Sequence, residues 1–308
     1  MCIYRTTLSF NRTISSGLLT VLLGLLSTGA AHGGTIFVAN PSADTVGEYD
    51  TSGKTVNASL ISGLNQPIGI AVSGSDIFVT NRDAGTVGEY DTSGNTVNAS
   101  LISGINLPGG ITVSGSDLFV SSYDSIGKYD TSGNTVNAEL VSGAGLGFPY
   151  GMAVSGPDLF VANSAFGTVG EYDTSGNTVN AALISGLTGD LGIAAVGSDL
   201  FITNGNGSIA EYDTSGNLVN ASLIAGLASP AGIATDGSDL FITNNATGTI
   251  GEYDLLGNTV NAALVTGLSN PFGLAVVTPE PGTIALLGFG LAGLGLFRRK
   301  RTAEIGKR

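Results

Sequence analysis

A chain of 308 residues with 42% hydrophobic side chains can bury a large core, and 48 glycines without a three-residue period favour turn-rich β structure over collagen. Between residues 32 and 297, three basic side chains face 23 acidic ones, and this body of net charge −20 would repel the phosphates of a nucleic acid. The only cysteine is Cys2 and the only histidine is His32, which excludes disulfides, zinc sites and cysteine or histidine catalysis from residue 33 onward.

The first 31 residues have the composition of a secretory signal peptide. Arg5 and Arg12 precede the apolar stretch SSGLLTVLLGLLSTGAA, and the small residues at its end predict cleavage after Ala31. A short buried helix is the alternative. Because the charged, apolar and small-residue regions follow in the order that export requires, we predict a signal peptide at residues 1–31.

One segment of about 41 residues occurs six times in the body. Each copy contains four short segments of the types GIAV, DIFVTN, GTVGEYD and NTVNASLISGL. A period near forty with four strands per unit predicts the blades of a β-propeller. The tyrosine of each Glu-Tyr-Asp or Lys-Tyr-Asp triplet marks the copies, at spacings of 41, 39, 43, 40 and 41 residues: Tyr49, Tyr90, Tyr129, Tyr172, Tyr212 and Tyr253.

The strands of a unit differ in predicted exposure. The first two, such as residues 69–72 and 77–80, are nearly continuous apolar runs, which is typical of strands covered on both faces. The fourth alternates, with Val97, Ala99 and Leu101 on one face and mostly polar residues on the other. This alternation predicts a half-exposed strand at the outer edge of the blade.

The sequence Asp-Thr-Ser-Gly-Asn between the third and fourth strands is predicted to be a tight turn. Asp173 can accept backbone N–H bonds, and Gly176 can take the positive φ that a hairpin loop requires. A calcium loop is the alternative, but it needs several converging oxygen ligands, and this segment offers one carboxylate. The sixth copy, Asp254-Leu-Leu-Gly-Asn258, keeps the aspartate and the glycine, which favours a scaffold role.

The two ends of the repeat array complete each other. The body begins at Thr35 with a second-type strand and ends at Phe272–Val276 with a first-type strand. Six complete blades of four strands therefore require the last strand to join the first three. A linear solenoid would gain nothing from this arrangement. We predict an all-β, six-bladed propeller over residues 32–276, closed by its C-terminal strand.

The unit resembles the blades of NHL-repeat and streptogramin-lyase-like propellers. Pro67–Ala71 and Pro271–Ala275 match a P-x-G-[IL]-A strand, and Phe78–Asn81 matches the aromatic strand that follows and ends in Asn. The resemblance covers residues 34–276. It implies a fold that serves enzymes, binding modules and sensors alike.

The same resemblance implies two kinds of catalysis. Streptogramin-lyase-like propellers use a histidine as general base, and no histidine follows His32. Lactonase-like propellers hold a divalent metal in the central channel with Glu, Asn and Asp side chains. We interpret the asparagines that end the second strands as strand caps. We interpret the glutamates of the third strands, one of which is replaced by Lys128, as a solvated row. No catalytic, metal or cofactor site is therefore predicted. The asparagines are Asn40, Asn81, Asn163, Asn204 and Asn244, and the glutamates are Glu48, Glu89, Glu171, Glu211 and Glu252.

The connections between strands fall into two groups. In an antiparallel blade, the first-to-second and third-to-fourth turns lie on one face of the disc, and the other two connections lie on the opposite face. The first group hardly changes among the copies, whereas the second differs in every copy and can form a recognition surface. Sequence drift without function is the alternative. The candidate ligand-binding residues on these variable connections are Arg82, Asp83, Tyr123, Asp124, Phe148, Tyr150, Phe166 and Asp190.

These features predict an exported, non-catalytic binding or structural module of the cell surface or extracellular matrix. Aromatic rings and one cation on a surface rich in Gly, Ser and Asn suit a polysaccharide or a surface protein as ligand. The alternative is a metal-dependent, lactonase-like hydrolase that uses the propeller channel.

Residues 277–308 form a separate C-terminal tail. The apolar run from Thr283 to Phe297 would make a helix of about 22 Å, short for a hydrocarbon layer of ~30 Å unless the flanking arginines snorkel. The basic cluster behind the run would stay cytoplasmic and leave the body outside. We predict a transmembrane helix at 283–297 that anchors the protein transiently, and a plain single-span anchor is the alternative.

The tail resembles PEP-CTERM sorting signals, in which a Pro-Glu-Pro triplet precedes an apolar helix and an arginine cluster. The resemblance implies recognition by an exosortase-type membrane protease in a Gram-negative bacterium that makes exopolysaccharide. It also implies passage through the inner membrane and release to the cell surface or extracellular matrix. The matching residues are Pro279, Glu280 and Pro281, the run from Ile284 to Phe297, and the cluster that begins with Arg298 and Arg299.

Overall fold

The computed structural model describes residues 33–143, 145–189 and 191–278, which form 24 β-strands joined by turns and loops. The predicted signal peptide, the transmembrane segment at 283–297 and the sorting residues Pro279, Glu280, Pro281, Arg298 and Arg299 lie outside this range, as does Asp190. No helix with the length and apolarity of a membrane span occurs in the described part of the chain.

The strands form six antiparallel sheets of four strands each, as the repeat predicts. The first strand of each repeat lies at one edge of its sheet and contacts the first strands of both neighbouring sheets, so the six strands surround a common axis. Blades 1 to 6 are numbered by these inner strands: β4 (Pro67–Ser73), β8 (Ile111–Ser114), β12 (Pro149–Ser155), β16 (Ile193–Val196), β20 (Pro230–Thr235) and β24 (Leu274–Val277).

The two middle strands of each blade carry most of the core. The second strands are β1 (Thr35–Asn40), β5 (Asp76–Asn81), β9 (Asp117–Ser121), β13 (Asp158–Asn163), β17 (Asp199–Asn204) and β21 (Asp239–Asn244). The third strands are β2 (Thr45–Asp50), β6 (Thr86–Asp91), β10 (Ser125–Asp130), β14 (Thr168–Asp173), β18 (Ser208–Asp213) and β22 (Thr249–Asp254).

The outer strands are more exposed than their alternating pattern predicts. In β7, residues 96–100 are all exposed, including Val97 at 57%, and only Leu101 and Ile102 pack inward. The reason is an irregular register opposite Glu89, which interrupts the alternation of faces. The outer strands are β3 (Thr55–Ser62), β7 (Thr96–Ser103), β11 (Thr135–Ser142), β15 (Thr178–Ser185), β19 (Leu218–Ile224) and β23 (Thr259–Val265).

The predicted ring closure is confirmed. Strand β24 pairs antiparallel with β1, from Thr35 opposite Val277 to Val38 opposite Leu274. The first and last strands of the described body therefore share blade 6, and every blade has four strands. Closure matters because an open array would leave two apolar inner faces without a neighbouring blade.

Neighbouring blades bury an aromatic core between them. Phe78 of blade 1 is fully buried and belongs to one apolar cluster with Leu118 and Tyr129 of blade 2, and each second strand carries an equivalent phenylalanine. Burying one such ring contributes about 1.5–3 kcal/mol. The tyrosine that marks each repeat therefore packs between blades; it is buried in five repeats and half-buried at Tyr212.

The predicted turn is confirmed, and it also joins blades. The carboxylate of Asp91 accepts the backbone N–H groups of Ser93 at 2.9 Å and Asn95 at 2.8 Å, and its pKa is lowered chiefly by its bond to the Asn95 side chain. Gly94 has a φ of +84°, and a Cβ atom there would collide with the carbonyl oxygen of Leu60 on the outer strand of blade 6. Each of the six turns contacts the preceding blade through its glycine in this way.

Candidate functional site

The propeller has two faces of different character. The turn face carries the first-to-second turns and the Asp-x-x-Gly turns between third and fourth strands, and the loop face carries the other connections. Since β24 runs towards the turn face, the chain leaves the described body on that face, at Thr278. The predicted ligand-binding residues within the described range all lie on the loop face.

Two aromatic rings meet over the propeller axis on the loop face. Tyr150 of blade 3 and Phe272 of blade 6 have ring centroids 5.3 Å apart, although their blades lie opposite each other in the ring. Arg82 of blade 1 donates a hydrogen bond from its guanidinium to the hydroxyl of Tyr150 and lies 5.6 Å from the centre of that ring. The rings of Tyr150 and Phe272 therefore cover the axis, and Arg82 holds one of them.

A second aromatic group lies beside the first. Tyr123 of blade 2 and Phe148 of blade 3 make an edge-to-face contact with centroids 4.5 Å apart. The ring of Phe166 lies against Gly147, next to Phe148. Tyr123 is 42% exposed and Phe166 57% exposed, so both present a ring to solvent. The segment 147–150 thus connects both groups.

Phe148 has a left-handed backbone, with φ +46°. This conformation is unfavourable for an aromatic residue and often marks a functional site. Here it belongs to the scaffold, because the residue before each inner-strand proline shares it: Gln66, Leu107, Phe148, Ser229 and Asn270. The backbone of these loops is alike, and the side chain it presents differs from blade to blade.

The chemically distinctive side chains occupy half of the loop face. Arg82, Tyr123, Phe148, Tyr150 and Phe166 belong to blades 1 to 3, and we call them the aromatic arc. Asp83 and Asp124 are exposed at its edge, and the loops of blades 4 to 6 contribute one described aromatic residue, the axial Phe272. Phe272 is absent from the predicted set, although a comparison of the residue before each inner-strand glycine singles out Tyr150 and Phe272 as the two aromatic ones.

The channel wall is built from backbone and small side chains. Each blade places an inner-strand glycine against the next blade; a Cβ on Gly69 would lie 2.7 Å from the carbonyl oxygen of Gly109. Thr80 strengthens this contact, accepting a bond from Gly69 N at 2.7 Å and donating one to Gly109 O at 2.6 Å. In blade 6, where Ala39 replaces the threonine, Gly273 N donates directly to Ile68 O at 3.0 Å.

The channel contains two cavities whose described lining carries no charged side chain. One of about 100 Å³ lies beneath Tyr150 and Phe272 and is otherwise lined by glycine, alanine and aliphatic side chains. The other, of about 660 Å³, opens towards the turn face and is lined by aliphatic residues, alanines and three threonines. The described lining residues of both cavities include no carboxylate, side-chain amide or imidazole.

Three of the five asparagines predicted to cap strand ends accept a hydrogen bond from a neighbouring loop. Asn81 Oδ1 accepts the N–H of Asn65 at 3.4 Å, and Asn204 and Asn244 make equivalent bonds. Asn40 Oδ1 and Asn163 Oδ1 are buried and have no hydrogen-bond partner among the described residues. Within those residues, no group of three or more Asp, Glu, His or Cys side chains is placed to hold a metal ion.

The third-strand glutamates are half-buried rather than fully solvated. The pKa of Glu89 is raised, first by burial and second by the negative charge of Asp76. Blade 2 avoids this repulsion because Lys128 replaces the glutamate and pairs with Asp117 at 2.8 Å. This is the one ion pair that the described residues make.

Comparison with known proteins divides the chain into a sorting tail and a propeller body. Residues 277–301 match the PEP-CTERM protein-sorting motif. This motif implies export and membrane-associated sorting, and it is generally recognised by an exosortase. No protein of curated function matches the sequence.

The described body has the fold of several solved propellers. It matches a chain of the nidogen/laminin complex with a TM-score of 0.69 and 16% identity, over 80% of this chain and 98% of that one. It matches a streptogramin B lyase with a TM-score of 0.58 and 18% identity, over 79% and 83%. A Bacteroides caccae protein of unknown function matches with a TM-score of 0.61 and 14% identity, over 80% and 100%. At these identities the likeness shows the propeller fold alone, and the number of six blades comes from the sheets of this chain.

Proposed function

We propose that the protein is an exported, non-catalytic binding or structural module whose loop face engages a polysaccharide or a surface protein. The observation that carries this proposal is the aromatic arc, which gathers one arginine and four aromatic side chains on three adjacent blades. Exposed rings beside a cation and polar loops are typical of recognition surfaces. The turn face, by contrast, repeats nearly the same turns in every blade, and the glycine of each Asp-x-x-Gly turn packs against the preceding blade.

The direction of the chain agrees with this assignment. The described body ends at Thr278 on the turn face, and the sorting motif begins at residue 277. A body tethered through its turn face presents the aromatic arc on the side opposite its attachment. The attachment therefore leaves the proposed binding surface open.

The tail serves transient anchoring in this proposal. The segment 283–297 spans the inner membrane, the body lies outside, and cleavage near Pro279–Pro281 frees it for the cell surface or matrix. Mass spectrometry of the protein from its own host tests this, with a C-terminus close to Pro281 as the expected result. Chains that end at Arg308 in the membrane fraction would instead establish the plain single-span anchor. Glu280→Ala should leave export intact and block release.

Binding is tested with the protein secreted by its host. Wild-type protein should sediment with extracellular matrix, and a triple variant, Arg82→Asn, Tyr123→Ala and Phe148→Asn, should do so at least about tenfold less. Asn245 and Asn270 already occupy the positions equivalent to Arg82 and Phe148, so the melting temperature should stay within a few degrees. Ser93→Ala on the turn face is the matched control, and equal sedimentation of all three proteins would refute the proposal. Treating the matrix with protease or with glycosidases separates a protein partner from a polysaccharide.

The alternative function is a metal-dependent, lactonase-like hydrolase. It needs carboxylate or side-chain amide ligands around the axis, and the described wall residues of the channel provide backbone groups, threonine hydroxyls and apolar side chains instead. A melting curve with and without calcium tests it, because a bound metal raises the melting temperature. A large shift together with turnover of lactones would favour the hydrolase over a binding module.

A further inference from the structure

Arg82 differs from the other basic side chains of the described body. Lys54 lies in a turn on the turn face, and Lys128 is paired with Asp117. Arg82 lies half-buried on the loop face, and no carboxylate among the described residues forms an ion pair with it. A guanidinium has five N–H donors, and the described residues use one of Arg82's, towards the hydroxyl of Tyr150.

The guanidinium is positioned before any ligand arrives. The hydroxyl of Tyr150 accepts its hydrogen bond, the ring of Tyr150 lies 5.6 Å away, and Phe272 supports that ring from the opposite blade. A side chain that is already ordered loses less entropy on binding than a free one. Its planar fork matches the two oxygens of a carboxylate.

Exposed rings flank this guanidinium along the arc. Tyr123 stands on blade 2, between the blades that supply Arg82 and Tyr150, and Phe166 lies against the segment that leads to Tyr150. The flat apolar face of such a ring can be covered by the C–H face of a sugar. We propose, on the basis of the function proposed above, that the arc binds a saccharide carrying isolated carboxylates, with Arg82 holding one acidic sugar and the exposed rings its neutral neighbours.

The charge of the body restricts the ligand to low charge density. The propeller, residues 32–276, has 22 acidic and three basic side chains and so carries a net charge of −19, and Asp83 and Asp124 are exposed beside the arc. At physiological ionic strength these charges act over about 8 Å, so a single ligand carboxylate bound by Arg82 is repelled by few of the acidic side chains. A polymer with a carboxylate on every sugar would meet many and would be repelled.

The test compares two probes that differ in one group. The first is a tetrasaccharide with one glucuronic acid among neutral sugars, and the second is the same molecule with its carboxyl reduced to an alcohol. Isothermal titration of the secreted protein should show a preference for the acidic form of about tenfold or more, as expected for a hydrogen-bonded charge pair. A polymer of glucuronic acid alone should bind more weakly than the acidic tetrasaccharide.

Three variants assign the roles. Arg82→Asn should lose the preference and bind both probes as wild type binds the reduced one, whereas Arg82→Lys should retain part of it because it keeps the charge without the fork. Tyr123→Ala should weaken the binding of both probes equally. Ser93→Ala on the turn face should bind both as wild type does.

The outcomes separate this proposal from the function on which it rests. Equal binding of both probes by wild type, an equal loss of both in Arg82→Asn, or no binding of either would overturn the carboxylate assignment. An equal loss in Arg82→Asn would mean that Arg82 only positions Tyr150. The wider proposal is tested separately, and it fails if the triple variant still sediments with the matrix as wild type does.

Discussion

The turn face and the loop face lie at opposite ends of the same 24 strands, yet the residues of the turn face recur among the repeats and those of the loop face vary. On the turn face, each Asp-x-x-Gly turn contacts the preceding blade, so the same residues recur in every copy. On the loop face, the backbone also recurs, as the left-handed residue before each inner-strand proline shows, but the side chain at that residue changes. Residues that recur in every repeat therefore make contacts between blades, and residues that vary among the repeats are ones that the fold does not constrain.

The largest expected effect comes from removing the strand that supports both faces. Deletion of Asn270–Val276 removes three of the four residues of β24, opens blade 6 and exposes the inner edge of β1. We expect loss of cooperative unfolding or a fall in melting temperature of more than about 10 °C, measured by calorimetry. Deletion of residues 302–308 is the control of equal length. A deletion variant that melts within a few degrees of wild type would show that closure is not needed.

Two glycines compare the faces directly. Gly94 on the turn face and Gly104 on the loop face have φ values of +84° and +78°, but an added Cβ meets the Leu60 carbonyl only at Gly94 and open space at Gly104. Gly104→Ala should lower the free energy of unfolding by about 1 kcal/mol, because only its left-handed backbone disfavours alanine. Gly94→Ala should lower it by about 2–4 kcal/mol, because the added Cβ also collides with Leu60. Urea unfolding measures both. Equal costs would mean that the contact between blades adds nothing.

Two aspartates compare the faces through pH. The pKa of Asp91 is lowered by its bonds to Asn95 and the turn backbone, so its contribution is present above the ordinary value of 3.8 and is lost as the pH falls through the lower folded value. Asp91→Ala should lower the melting temperature by a few degrees at pH 7, and this difference should vanish in acid. Asp83→Ala on the loop face should change the melting temperature little at pH 7. A difference for Asp91→Ala that persists at pH 2 would contradict the assigned hydrogen bonds.

A smaller effect is expected beside the turn face. The raised pKa of Glu89 means that its charged form is penalised above the folded pKa and relieved as the pH falls below it. Glu89→Gln should therefore leave the melting temperature unchanged or slightly higher at pH 7, with no gain at pH 3. Lys128→Gln, which breaks the 2.8 Å pair with Asp117, should lower it slightly at pH 7. A destabilised Glu89→Gln variant would show that this carboxylate makes a stabilising contact.

Local repetition made most of the fold predictable. Period, turn chemistry and the split blade lead from the sequence to six blades and their closure, because each depends on residues close together in the chain. The contact of Gly94 with Leu60 and the meeting of Tyr150 with Phe272 join different blades and need the closed ring to be seen. The alternating pattern predicts Val97 to share the inward face with Leu101, and this prediction is wrong. An irregular register of the strand pair, which the alternation of residues does not reveal, turns the side chain of Val97 to solvent.

Radical footprinting of the matrix-bound protein tests the central claim most directly. Tyr123 and Phe166 on the loop face are 42% and 57% exposed, and Leu256 in a turn of the opposite face is 80% exposed, so all three should be oxidised readily in the free protein. If the aromatic arc is the binding surface, the matrix should protect Tyr123 and Phe166 severalfold and leave Leu256 as reactive as before. Protection of Leu256 with unchanged oxidation of the two rings would contradict the account.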